Sequence, residues 1–223
     1  MQAMRINTSV RKISCAALFG VTIATSLLTG CAAPQIAEYA NEKPRLDMRQ
    51  YFNGTVDAYG VFTDRSGKVV KRFTVVMTCQ WSGKLGEEVG ILDEDFTNSD
   101  GTKDRRVWTL KRSVDGGITR YTGTASDVLG EANGEEKGNV FRWAYTLKLP
   151  VDGSRADGPP LGANAPSGGS AAREATSVGA NRYIEVQFDD WMYLMSDKVM
   201  LNKAVMSKFG FKLGEVTLSF VKR

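Results

Sequence analysis

The sequence of 223 residues contains no histidine. This absence excludes Ser-His-Asp and Cys-His nucleophile systems, and zinc sites that use histidine ligands. Carboxylate, lysine or tyrosine chemistry stays possible, but no motif for such chemistry is present. We therefore expect a protein that is not an enzyme and that has no cofactor and no metal site.

Cysteine is scarce, with three residues at positions 15, 31 and 79. Cys15 falls in a predicted targeting segment and Cys31 at its end, so only Cys79 belongs to the body of the chain. No intramolecular disulfide is then expected. Cys79 lies on the apolar face of a predicted strand, where a free thiol is usually a small core residue. A reactive thiol is the alternative.

A basic run is also missing. The chain has 29 basic and 25 acidic residues, and Arg5, Arg11 and Lys12 lie before residue 31. The part from Cys31 onward therefore carries 26 basic against 25 acidic residues. This balance gives no indication of a nucleic-acid partner.

The N-terminus has the pattern of an export signal. A basic stretch over 1–12 precedes an apolar stretch over 13–28, which is shorter than the roughly 20 residues that a membrane-spanning helix needs. An ordinary secretory signal or a weak membrane span would be alternatives. However, Leu28-Thr29-Gly30-Cys31 fits the lipobox pattern at every position, so we predict a lipoprotein signal peptide over 1–30 with Cys31 as the lipidated residue.

The predicted anchor also suggests a location. Ala32 follows Cys31, where an aspartate would resemble an inner-membrane retention signal. We therefore expect acyl chains on Cys31 to hold the protein in the outer membrane, on its periplasmic face. Residues 31–50 are polar and contain two prolines, which predicts a tether.

From Tyr51 onward, apolar and polar residues alternate with a period of two, which is typical of half-buried strands. Gly, Asn and Asp clusters between them predict tight turns. An antiparallel meander of many strands leaves open edges unless the sheet closes. We therefore predict an all-β, lipocalin-like, up-and-down barrel of eight to ten strands in a single domain, 51–223. The predicted strands are 53–63, 68–81, 84–96, 105–113, 118–126, 139–150, 182–190, 191–195, 198–206 and 211–222.

Two segments of this domain leave alternatives. Residues 197–208 contain good helix formers after the potential cap Ser196, so a helix is the alternative to a strand there. Residues 152–181 are rich in Gly, Ala, Ser and Pro and have almost no large apolar side chain. We predict a disordered insertion at 152–181, with a mobile lid as the alternative.

The candidate site residues come from the predicted inward face. Phe73, Trp81, Trp143 and Tyr145 alternate inward, and they suit either a filled barrel or a ligand. Adjacent Asp189 and Asp190 must point to opposite faces of a strand, so only one can line the interior. The predicted ligand-binding residues are Trp81, Trp143, Tyr145, Asp189, Trp191 and Asn202.

Two further clusters are given ordinary interpretations. The glycine-spaced run 123–134 lacks the GxGxxG spacing and a following helix, so turns at the barrel rim account for its glycines. The acidic cluster of Glu87, Glu88, Asp93, Glu94 and Asp95 lacks an EF-hand pattern, which predicts a solvated acidic edge.

Six stretches of the chain carry a resemblance to a known family: DRSG (64–67), RVW (106–108), GTASDVLG (123–130), GNVFRWAY (138–145), FDDWM (188–192) and NKAVMSKFG (202–210). Together they resemble a family of bacterial lipoproteins that is catalogued as domain of unknown function 3833. The resemblance covers roughly 50–150 and 182–223, and it implies a lipocalin-like architecture. The family's genes tend to lie near lipid-modification genes of the cyclopropane fatty-acid type, which implies a connection to lipids but no site residues.

Three functions are compatible with these observations. The favoured one is an anchored barrel that binds a small apolar ligand, such as a fatty acid or phospholipid, in envelope lipid metabolism or stress. The alternative is a structural or assembly lipoprotein that binds another envelope protein. A lipid-modifying enzyme that uses Asp189 or Asp190 as acid or base is the least favoured.

Overall fold

The computed structural model describes residues 33–150 and 183–223. Contacts divide the chain into two units, 1–34 and 35–223. The predicted signal peptide, Cys31 and the predicted insertion at 152–181 lie outside the described residues, so those three predictions stay predictions. Within the described residues, no helix is both long and apolar enough to cross a membrane.

The unit 35–223 consists almost entirely of strands. A short 3₁₀ turn, Ile36–Tyr39, and one turn of helix, α1 (Met48–Tyr51), precede them. The ten strands are β1 (Gly54–Asp64), β2 (Val69–Ser82), β3 (Val89–Asn98), β4 (Lys103–Asp115), β5 (Ile118–Thr124), β6 (Ala132–Lys137), β7 (Val140–Pro150), β8 (Tyr183–Leu194), β9 (Val199–Lys208) and β10 (Phe211–Lys222).

Each strand pairs antiparallel with its neighbours in sequence, and β1 closes the sheet against β10. The closing register runs from Val56 opposite Lys222 to Asp64 opposite Gly214. The predicted all-β, up-and-down barrel is therefore confirmed. Closure gives every described strand two partners, which removes the edges that an open sheet of this size would expose.

The alternation of residue types explains which face of each strand points inward. In β2, Phe73, Val75, Met77 and Cys79 are buried, whereas the residues between them are exposed. The same period continues around the barrel and yields one continuous core. The prediction that Cys79 is a buried free thiol is confirmed.

Two predicted elements need correction, and one is confirmed against its alternative. Residues 183–194 form one strand instead of two, because the alternation of buried and less buried residues continues through Trp191 without a turn. The predicted strand at 198–206 is confirmed as β9, Val199–Lys208, and the helical alternative is wrong. Strand β6 was not predicted, because its sequence ANGEEK contains almost no apolar residue.

The predicted tether over 31–50 is too long. Residues from Gln35 belong to the barrel unit, and Leu46, Met48 and Phe52 are buried in its core. The Leu46 backbone N–H donates to the Gly138 carbonyl at 2.8 Å, which holds the segment against the β6–β7 turn. Three well-spaced apolar residues in a polar segment were enough to bring it onto the barrel.

Helix α1 closes the barrel end at which β1 begins and β10 ends, which we call the capped end. Trp81 donates its indole N–H to the Phe52 carbonyl at 2.6 Å. Lys222 donates its ammonium group to the carbonyls of Gln50, Tyr51 and Asn53 at 2.7–2.9 Å. We call the opposite end, which includes the β1–β2, β3–β4 and β9–β10 turns, the uncapped end, because neither described helix covers it.

Candidate functional site

The barrel encloses a cavity of about 100 Å³. Met48 and Phe52 form its floor at the capped end, and its wall includes residues from seven strands. The wall is mainly apolar, but four of its side chains carry charge or an amide. The cavity-lining side chains used below are those of Glu94, Arg106, Trp108, Trp143, Tyr145, Phe188, Asp190, Asn202 and Ala204.

Aromatic rings occupy much of the interior. Trp108 lies edge-on to Trp143 and to Tyr145, with centroid distances of 5.6 and 5.4 Å. Tyr145 stacks on Phe188 at 5.3 Å. Such contacts stabilise each ring pair by roughly 0.5–1.5 kcal/mol beyond burial, so the cavity has a well-defined aromatic wall.

Two glycines make room for the Trp143 indole. A Cβ atom at Gly134 would lie 2.5 Å from the Trp143 ring, and one at Gly123 would lie 2.8 Å from it. Both glycines are on strands next to each other, β5 and β6. The glycine-spaced run is therefore only partly a matter of rim turns, because these two positions are needed for an indole to fit inside the barrel.

A polar cluster lies within this aromatic interior, and we define it as Glu94, Arg106, Asp127, Tyr145, Asp190 and Asn202. Its strongest interaction is the buried ion pair of Arg106 and Asp127, with 2.6 Å between Nη2 and Oδ2. The Arg106 Nε atom adds contacts of 3.2 and 3.1 Å to the same carboxylate. Such a bidentate pair fixes the guanidinium plane.

The other side of the cluster is less completely paired. Tyr145 donates its hydroxyl to Asp190 Oδ2 at 3.4 Å, which is a long bond. Asp190 and Asn202 are only 6% and 3% exposed. Nevertheless, Oδ1 of Asp190 and Oδ1 of Asn202 have no hydrogen-bond partner among the described residues. Buried acceptors are normally paired, so two unpaired ones at one cavity require an explanation.

Burial shifts the proton equilibria of the two carboxyls at the cavity. Burial raises the pKa of Asp190 to about 8, against the lowering effects of Tyr145 and Arg106. Burial also raises the pKa of Glu94 to about 7, although Arg106 opposes the shift. Part of the Glu94 side chain faces the cavity, and the residue is half-buried. At neutral pH Asp190 is therefore largely protonated and is able to donate a hydrogen bond as well as accept one.

Three of the predicted ligand-binding residues line the cavity: Trp143, Tyr145 and Asn202. Trp81 does not, because its indole packs over Gly90 and bonds to Phe52 at the capped end.

Asp189 and Trp191 are also displaced from the predicted site, since they lie on the outer face of β8. Asp189 pairs there with Arg142 at 2.7 Å. The Arg142 guanidinium also lies 5.3 Å from the Trp191 ring centroid. The alternation of β8 selects Asp190, not Asp189, as the interior carboxyl.

Sequence reasoning missed Arg106, Asp127 and Glu94. Arg106 stands between two exposed residues on β4, Arg105 and Val107, so period two alone would have placed it inward. Glu94 is not part of a solvated acidic edge, because it faces the cavity. Glu88 is likewise buried, and it pairs with Arg112 at 3.1 Å.

The described residues contain neither a metal site nor a reactive thiol at the cavity. No group of three or more Cys, Asp or Glu side chains among them is arranged to hold a metal ion. Burial raises the pKa of the Cys79 thiol to about 12, and the thiol does not line the cavity. A thiolate nucleophile is thus absent from this interior at neutral pH.

A short part of the chain matches a curated protein, the tryptophan synthase beta chain of Polaromonas sp. strain JS666. The chain spans about 6% of the length of that protein. That match has 78% identity over 27 residues, or 12% of this chain, and carries no functional argument.

Among solved structures, the chain is similar to the S-type phycobiliprotein lyase CPES of Guillardia theta. The TM-score is 0.51 at 7% identity, over 85% of this chain and 98% of that chain. This likeness shows a shared barrel fold. A de novo designed fluorescence-activating β-barrel gives a TM-score of 0.37 at 12% identity, over 80% and 99% of the two chains.

The sequence also matches the family described as "Protein of unknown function (DUF3833)" over residues 25–157 and 176–222. The match covers most of the chain, so the protein belongs to this family.

Proposed function

We propose that this member of the DUF3833 family binds a small, largely apolar ligand inside its barrel. The ligand's apolar part would contact the rings of Trp108, Trp143 and Phe188. Its polar group would be bound by Asp190 and Asn202. Closed barrels of comparable strand number hold one small ligand when side chains leave room for it.

Two unpaired oxygen atoms, Asp190 Oδ1 and Asn202 Oδ1, carry this proposal. A buried polar atom without a partner costs roughly 1–3 kcal/mol, and here two of them face one cavity. A ligand hydroxyl or amide, which donates to Asn202 and accepts from the protonated Asp190, would recover this cost. The paired carboxylate of Asp127 offers no such gain, because Arg106 already occupies it.

The cavity volume limits the size of the ligand. Pockets for drug-sized molecules have about 300–1,000 Å³, whereas this cavity has about 100 Å³. The predicted fatty acid or phospholipid is too large for this volume, and the end of an acyl chain has no polar group for Asp190 and Asn202 to bind. We therefore propose a smaller ligand with a hydroxyl or amide group, and a lipid would fit only if side chains such as Trp108 rotate aside.

We further propose that the protein acts in the cell envelope, anchored to the periplasmic face of the outer membrane through acyl chains on Cys31. The support is the sequence Leu28-Thr29-Gly30-Cys31 behind a basic and then an apolar stretch. Metabolic labelling with an alkyne fatty acid tests it, and the label should be lost in Cys31→Ser.

We also propose that the role is binding without catalysis. A raised carboxyl pKa such as that of Asp190 is suited to general acid chemistry. However, no described side chain at the cavity combines with Asp190 as an activated nucleophile. The assembly alternative gains no support from an exposed strand edge, because every described strand is paired on both sides.

Native mass spectrometry of the full chain, extracted from its own membranes, tests ligand binding. We expect a co-purified ligand with wild type and at least a tenfold lower occupancy with Ala204→Leu, whose longer side chain would fill the cavity. Val205→Leu is the matched control, since this next residue on β9 is half-buried and faces outward. Equal occupancy in the two variants, or no ligand in wild type, would contradict the proposal.

A second pair of variants tests the polar contact. Asn202→Leu removes one unpaired acceptor, and we expect occupancy to fall by about tenfold, which corresponds to roughly 1.4 kcal/mol. Lys203→Leu, on the adjacent outward position, should leave occupancy unchanged. If Asn202→Leu binds as well as wild type, the ligand makes no polar contact there.

A further inference from the structure

The turn between β9 and β10 exposes two aromatic side chains at the uncapped end. Phe209 is 84% exposed and Phe211 is 76% exposed, and Gly210 separates them. Neither ring takes part in an aromatic pair within the described residues. Rings of this size are normally buried, and this pair lies at the tip of a rigid hairpin whose strands are part of the closed barrel.

The backbone of this turn favours a different residue. Phe209 and Gly210 form a two-residue loop with φ angles of 52° and 80°. Two positive φ angles define a type I′ turn, in which asparagine is preferred at the first position. Phe209 is the only non-glycine residue with positive φ in the described chain. A bulky side chain in this conformation is strained, and strain of this kind persists mainly at functional positions.

Lysines surround the two rings. Lys208 precedes them, with its ammonium 5.2 Å from the Phe209 centroid, and it forms no ion pair among the described residues. Lys212 follows them and pairs with Glu215 at 2.8 Å. Lys203 also reaches Glu215, at 3.4 Å. Three lysines and one glutamate thus give this hairpin a net positive charge.

A second aromatic–lysine pair lies at the same end. Tyr183, at the start of β8, is half exposed, and the Lys148 ammonium is 5.9 Å from its ring. Strand β8 pairs with β9, so both pairs belong to neighbouring parts of one rim. The most exposed apolar residue at the capped end is Leu85, which is aliphatic and 83% exposed.

We propose that the β9–β10 tip docks on an anionic lipid bilayer, with Phe209 and Phe211 in the headgroup region and Lys208 among the lipid phosphates. Aromatic rings prefer this depth, and lysines extend from it toward anionic headgroups. The net positive charge of the hairpin complements anionic lipid. Residues 36–39, which follow the proposed anchor at Cys31, contact the β6–β7 turn at the capped end. The barrel would therefore lie with its side toward the bilayer, so that the anchor and the tip both reach it. This proposal does not depend on a ligand inside the barrel.

Tryptophan reporters in the full chain test the orientation. Phe209→Trp and Leu85→Trp would each be reconstituted into vesicles of phosphatidylethanolamine and phosphatidylglycerol (3:1) with brominated acyl chains, and the wild-type emission would be subtracted. We expect the bromine quenching of the residue-209 reporter to be at least threefold that of the residue-85 reporter. Vesicles of phosphatidylcholine alone should reduce this quenching at least twofold, because they lack the anionic charge.

Phe211→Trp is a second reporter, and adding Phe209→Asn to it gives a sharper test. Asparagine suits the type I′ turn, so the melting temperature should rise while the bromine quenching at residue 211 falls at least twofold. Equal quenching at residues 85 and 209 would overturn the proposal. So would a residue-209 reporter that is shielded from both brominated lipid and aqueous iodide, because a protein partner would then cover the tip.

Discussion

At the capped end, the Tyr51 hydroxyl lies 3.1 Å from the carbonyl oxygens of both Lys198 and Phe220. In the polar cluster, two buried acceptors of Asp190 and Asn202 have no partner. Both places are interior, and both are rich in aromatic rings. The difference indicates that the capped end contributes stability, whereas part of the polar cluster lowers stability and is available for a ligand.

The same contrast extends to the carboxylates. Glu136 accepts from the Met48 backbone N–H at 2.9 Å and from the Tyr121 hydroxyl at 3.1 Å, and it thereby holds the first turn of α1. Asp190 accepts a long bond from Tyr145 and interacts with the Asn202 side chain, but its Oδ1 atom has no partner among the described residues. A fully satisfied buried network makes a structure rigid, while an incomplete one is unfavourable in the absence of a partner.

The largest effect is expected from Phe52→Ala at the capped end. Phe52 is buried against Tyr51 and Phe220, and its loss should reduce the free energy of unfolding by about 3–5 kcal/mol. Urea denaturation followed by circular dichroism measures this. Leu85→Ala is the control, since an exposed side chain at the same end should change stability by less than about 0.5 kcal/mol. Similar losses of unfolding free energy in the two variants would contradict the view that the buried cap contributes most of the stability at this end.

The pH dependence of stability should show the opposite contribution from the polar cluster. The pKa of Asp190 is raised to about 8 in the folded state, so the folded protein keeps a proton that the unfolded chain releases near pH 4. The contribution of Asp190 to stability is then greatest below about pH 4 and is lost as the pH rises from about 4 to 8. The limiting slope for one proton is about 1.4 kcal/mol per pH unit.

Asp190→Asn should remove this part of the slope between pH 5 and 8. Glu94 shifts in the same direction and should leave a smaller slope in the variant. Asp189→Asn is the matched control, because that carboxylate is half exposed and pairs with Arg142 on the outer face. An unchanged slope in Asp190→Asn would mean that this carboxyl is not protonated in the folded barrel.

A smaller loss is expected from Lys222→Met. This change leaves the carbonyls at the end of α1 without their shared donor, and we expect a loss of about 1–3 kcal/mol. Thermal unfolding would measure it. Lys198→Met, which lies near the same end but has no side-chain bond in the described structure, serves for comparison. If both variants have the same melting temperature as wild type, the Lys222 ammonium group does not stabilise the capped end.

The candidate site was only partly predictable. The period of two placed Trp143 and Tyr145 inside correctly, because it depends only on local sequence. The same period could not choose between Asp189 and Asp190, since a one-residue shift in register exchanges the two faces. The same period also does not predict that Asp127, in the turn after β5, forms an ion pair with Arg106 on β4.

The sequence by itself determined most of the strands, their tight turns and the all-β class, because alternation and turn residues act over a few positions. It also contained the pattern that predicts the anchor at Cys31. Only the tertiary structure decided that residues 35–52 fold onto the barrel, that glycines 123 and 134 make room for Trp143, and that Asp190 and Asn202 share one cavity. Those features depend on contacts between residues that are distant in sequence, and closure of the sheet brings these residues together.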